Sequence, residues 1–233
     1  MRKFDSQRGI AVLEAAVSFV VILTLLMSGL ALTDFFRQVG IADELVDRYI
    51  FDDAVRPYSF STSGGTFQLV ANTTAITDYL DKATAKAKLE LEAFLQNTSA
   101  GDYYLEMRSV ELAINQSTGA PEGIVSLGGA SYDYTFGGLS VPGEILQETD
   151  LDTRFDALAQ MTSADGVSTF AVPTALYGLS GSQARFLPRA VMIGLRVVWS
   201  IEESFTGNIY EQVGGLPYVY DAKVTVVRGE IEA

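Results

Sequence analysis

Apolar residues fill the chain from Ile10 to Thr33 almost without a break, and Glu14 is the single charge among them. As a helix, these 24 positions rise about 36 Å, enough to cross a hydrocarbon core of about 30 Å. Beyond Thr33 the pattern changes but its helical period does not. Phe35, Val39, Ala42, Leu45, Val46, Tyr49 and Ile50 recur every three or four residues, while Asp34, Arg37, Asp43, Glu44, Asp47 and Arg48 fall largely between them. The spacing predicts one helix from about Ile10 to Ala54, its first half apolar all round and its second half amphipathic. No proline interrupts it before Pro57. Gly40 costs about 1 kcal/mol relative to Ala in a helix interior.

Residues 55–71 are rich in Ser, Thr and Gly and read as a connection, with a short strand at Thr66–Ala71. Asn72-Thr73-Thr74 offers N-caps for a second helix over about Ala75–Gln96. Its apolar stripe is Ile76, Leu80, Ala83, Ala87, Leu91, Phe94 and Leu95. Strand patterns follow. In Tyr103–Ile114 the apolar phase switches between Met107 and Val110, which predicts a bulge near 108–110. Gly123–Leu127 and Ala130–Phe136 are shorter strands, the latter alternating Tyr132, Tyr134 and Phe136 on one face. Asp152–Thr162 reads as a short helix within the Gly-, Ser- and Pro-rich stretch 137–188, the part where a partner surface is expected. Arg189–Glu202 and Tyr218–Ile231 are the strongest strands. Turn signals at Thr206-Gly207-Asn208 and Gly214-Gly215 predict that they pair antiparallel. The expected fold is α+β: a long N-terminal helix whose second half packs on an antiparallel sheet domain containing a second helix.

Composition narrows the function. With 48% hydrophobic and 19% charged residues, the chain fits a folded domain rather than a disordered one. A net charge of −13 argues against a nucleic-acid partner, since phosphate binding needs a basic face. The chain has no Cys and no His. That removes disulfides, thiolate nucleophiles, imidazole metal sites and the His-based catalytic dyads. Asp150, Asp152, Asp156 and Asp165 do not match a calcium-loop pattern and read as a helix cap and solvated turns. Gly64-Gly65 lacks the lysine of a phosphate-binding loop. The acidic residues of 43–53 read as a solvated helix face. No cofactor or metal and no enzymatic activity is expected.

The leader Met1–Gly9 carries Arg2, Lys3 and Arg8 against Asp5, so its end should stay cytoplasmic and the bulk of the chain should be exported. A lone carboxylate inside a bilayer costs roughly 2.5–3.5 kcal/mol on insertion scales, so Glu14 calls for a use. The string Gly9-Ile10-Ala11-Val12-Leu13-Glu14, after a short basic leader and before the apolar run, resembles the class III signal of type IV pilins and pseudopilins. Arg8-Gly9-x-Ala11-x-x-Glu14-x-Ala16 and the later Gly29…Asp34-Phe35-Phe36-Arg37 look most like the TadE/TadF-type pseudopilins of tight-adherence pili. Ala15 after the glutamate and the lack of a proline in the apolar run depart from that pattern. The larger TadG-like relatives carry a metal-binding Asp-x-Ser-x-Ser motif that is missing here. The resemblance covers about residues 1–50. It divides the chain into a leader (1–9), an assembly helix (10–33), its amphipathic continuation (34–54) and an exported domain (55–233).

That resemblance implies cleavage by a prepilin peptidase between Gly9 and Ile10, N-methylation of Ile10, and an assembly role for Glu14. It also implies other pilin subunits, an inner-membrane assembly platform and membrane lipid as partners. The chain would act in priming, capping or building a pilus, held in the inner membrane with its domain on the periplasmic side or carried out in the pilus. Cleavage would leave an amine at Ile10, one helical turn from Glu14, and a neighbouring subunit's amine could pair with that carboxylate. Three other readings make distinct predictions. A membrane-anchored exported binding protein keeps its leader. A type II secretion minor pseudopilin shares the processing but not the pilus. A secreted enzyme with Ala15–Ser28 as the core of a cleaved signal starts near Leu32.

Overall fold

The computed structural model describes residues 2–50, 58–63, 66–96, 103–115, 120–126, 132–160, 189–212, 214–227 and 231–232. Helix α1 (Arg2–Ile50) is continuous for 49 residues, about 70 Å. It begins earlier than the sequence pattern predicts. Residues 51–54, its expected end, lie outside the described residues, as does the Gly64-Gly65 pair.

A hairpin of β1 (Tyr58–Ser63) and β2 (Thr66–Ala71) occupies the stretch read as a connection, and β2 matches the predicted strand. Helix α2 (Thr73–Gln96) follows. The Asn72 side chain caps it by accepting the Ala75 amide at 3.1 Å. Next come β3 (Tyr103–Ile114), β4 (Pro121–Ser126), β5 (Tyr132–Gly137), α3 (Gly143–Glu148) and α4 (Leu151–Gln160). The last part holds β6 (Arg189–Ser200), α5 (Phe205–Gln212), β7 (Tyr218–Val226) and the two-residue β8 (Ile231–Glu232). Strand β8 pairs parallel with β1.

The main sheet has five strands, all antiparallel. The path β4-β3-β6-β7 has β5 added on β3. Strand β3 divides its outer edge, pairing with β5 over 104–109 and with β4 over 110–114. Its inner edge pairs with β6 over 103–113 without interruption. The bulge expected near 108–110 is therefore not present; the register shifts instead at Ala113/Ile114 against β4. Burial explains the two apolar phases. Leu105 and Met107 face a core shared with α1 and α2, whereas Val110 and Leu112 face a second core shared with α4. A strand covered on both sides needs apolar residues on both phases.

The first core joins Ala42, Leu45, Val46 and Ile50 of α1 to the α2 stripe, to alternate residues of β6 from Val191 to Trp199, and to Ile201 just beyond it. Tyr134 and Phe136 of β5 pack, partly buried, at its margin. The second core centres on Phe155, fully buried beneath α4. Gly194 permits that packing: a Cβ there would stand 2.8 Å from the Phe155 ring.

Candidate functional site

The candidate functional region is α1, which divides at Asp34. From Leu13 to Leu32 its large apolar side chains are exposed; Phe19 and Leu25 keep 65% and 68% of their surface. One helix is thus long and apolar enough to cross a membrane. Both threonine hydroxyls in this half are internally satisfied. Thr24 donates to the Val20 carbonyl at 2.8 Å and Thr33 to the Gly29 carbonyl at 2.9 Å. Such back-bonding removes the donors that would otherwise be costly in hydrocarbon.

Glu14 lies on this free half. It is exposed and, among the described residues, forms no ion pair or hydrogen bond. Gly9 and Ile10 belong to the same helical backbone, with Ile10 one turn before Glu14; their side chains lie outside the described residues. No part of the described domain is brought to these three residues.

At Asp34 the helix joins its domain through a polar collar. The Asp34 carboxylate accepts hydrogen bonds from Arg37 (2.9 Å), Gln38 (2.9 Å) and Thr206 of α5 (3.0 Å). Buried Gln38 in turn accepts the indole N–H of Trp199 at 3.1 Å. Phe35 stacks on Tyr210 of α5 with ring centroids 4.6 Å apart. The residues expected to be turns, Thr206-Gly207-Asn208, are in fact the start of α5. The Ser204 hydroxyl accepts the Gly207 amide at 2.9 Å, an N-cap that the turn reading overlooked.

Further along α1, the acidic face is clamped rather than merely solvated. Asp43 and Asp47 both accept hydrogen bonds from Lys223 of β7. Arg48 bridges Glu44 and Glu90 of α2, and Tyr49 donates to Glu90 at 2.6 Å. These exposed pairs are screened by solvent and add little to stability.

Several other charged groups are held within the fold. Asp150 caps α4, accepting the Thr153 amide (2.9 Å) and hydroxyl (2.6 Å). Those bonds hold its carboxyl below the usual range. Asp152 pairs with Arg108 at 2.9 Å. Asp165 lies outside the described residues, and Asp156 is exposed on α4. Among the described residues no three potential ligands gather into a metal site. Between the sheet and α3, the buried Arg196 guanidinium pairs with Glu106 and also approaches Tyr104 and the Leu146 carbonyl. An open apolar pocket between α4 and β7 has Arg154 and Lys223 as its titratable lining, with no nucleophile–base pair.

No family model, curated protein or solved structure matches this chain.

Proposed function

We propose that this chain is a membrane-inserted, non-enzymatic pilin or pseudopilin of the TadE/TadF-like kind, acting by assembly with other subunits. The observation that carries this reading is the disposition of α1. The large apolar side chains of its first half are left exposed by its own domain, and Glu14 sits there one turn beyond Ile10. A carboxylate so placed gains most from a cationic partner in another subunit. The amine released at Ile10 by cleavage after Gly9 has the right charge at the right level. The amphipathic half then fixes the exported domain rigidly to the assembly helix.

The reading predicts that the mature membrane-extracted protein begins at methylated Ile10, as read by intact mass and N-terminal sequencing. An intact leader would favour an anchored exported binding protein instead. Glu14→Ala should leave cleavage unchanged and abolish most incorporation into filaments, measured by cosedimentation with sheared pili. Normal incorporation of that variant would defeat the assembly role.

A further inference from the structure

We propose that the membrane-proximal end of the exported domain rests in the interfacial zone of the bilayer, with Phe36, Phe205 and Leu216 as its contact residues. The inference rests on the reading that α1 crosses the membrane. Twenty residues separate Glu14 from Asp34, a rise of about 30 Å, which matches the hydrocarbon thickness. With those two charges at the two boundaries, Asp34 marks the level of the exported surface.

Three exposed apolar side chains share that level. Phe36 is 63% exposed and follows the collar residue Phe35. Phe205 is 49% exposed and precedes Thr206, which donates to Asp34. Leu216 is 41% exposed and follows Gly215, whose amide donates to the carbonyl of Tyr210, the residue stacked on Phe35. A single exposed apolar residue is ordinary. Three from separate segments, gathered where an apolar span leaves its domain, form a continuation of that span's own lipid-facing surface. Aromatic side chains favour this zone. Buried Ala31, one turn before Phe35, places packed protein slightly below the collar, inside the apolar run.

Charge selects the lipid. Glu202, Glu203 and Glu211 are exposed around α5, and the nearby cation Arg37 is paired with Asp34. This face suits zwitterionic headgroups, not an anionic surface.

The chain has no cysteine, so single-cysteine variants of the full-length protein can be labelled cleanly. Phe205→Cys, Leu216→Cys, Leu89→Cys and Leu23→Cys would carry an environment-sensitive dye in phosphatidylcholine vesicles containing lipids brominated near the headgroup or deep in the chain. Emission of the single tryptophan, buried Trp199, confirms folding before labelling. Labels at 205 and 216 should lose fluorescence to shallow bromines. The label at 89 should not, because Leu89 adjoins Glu90 and so lies at the level of Arg48, far along α1. The label at 23 should lose fluorescence to deep bromines. If 205 and 216 behave like 89 while 23 is quenched, the inference fails and the membrane span stands. If 23 is not quenched, the span itself fails and the inference with it. Protection of 205 and 216 that rises with protein concentration, without quenching, would make the face a contact between copies and overturn the proposal. Stronger shallow quenching on adding phosphatidylglycerol would overturn the choice of headgroup.

Discussion

Gln38 occupies a place on α1 that the apolar stripe leaves to a polar residue, yet it is buried. Its partner Trp199 is 161 residues away in the chain, so neither the burial nor the bond was legible in local pattern. Glu14 is the opposite case: the role proposed for it comes from its spacing to Gly9 along one helix, and folding adds only that no residue among those described pairs with it. Asp150 was legible as a cap, because Asp three residues before Thr153 and at the start of an apolar period is a local signal. Asp150→Ala should cost about 1 kcal/mol at neutral pH. Because the folded carboxyl titrates below its ordinary value, its stabilisation is fully present above the unfolded pKa of about 3.9 and is lost as pH falls through the lower folded value. The difference in melting temperature between the variant and the parent chain should therefore shrink on acidification below about pH 4. A difference that is constant with pH would show that the Asp150 charge plays no part in the cap.

At the level of elements, the helices and long strands follow from periodicity, and the errors have identifiable causes. A period-2 reading expects one buried face, so the double burial of β3 looked like a bulge. Helix α5 has only eight residues and carries Gly207, which reads as a turn residue. The glycine is there for space, since a Cβ would stand 1.8 Å from the Ile201 carbonyl oxygen. Arg196 and Glu106, on adjacent strands β6 and β3, are directly opposed in register. Both are buried, so removing one leaves an unpaired charge. Glu106→Leu should cost about 3–5 kcal/mol, whereas Glu106→Leu combined with Arg196→Met should recover most of that loss. Urea unfolding in detergent, followed by Trp199 emission, measures both. Equal losses in the single and double variants would mean that the pair is irreplaceable in this setting.

Across the whole molecule, α1 is at once the apolar span and a wall of the first core. A chain beginning at Asp34 retains Ala42, Leu45, Val46 and Ile50 and should fold without detergent, with Trp199 emission like that of the full chain. One beginning at Tyr58 loses all four side chains and should fail to give a cooperative unfolding transition. Folding of the shorter chain would separate α1 from the core. The α+β architecture was legible from the order of patterns, and the candidate site only on its helical side. The collar was not, because it brings together α1, β6 and α5 across more than 160 residues of chain. The continuity of α1 also has a mechanical meaning. With no proline along its described length and no break at Asp34, the helix is a stiff rod rather than a tether. A pull on its N-terminal half loads the seam against β7 in shear, where Asp43 and Asp47 hold the same lysine. Both contacts share one ammonium group, so force along the helix axis is passed to the sheet through that seam.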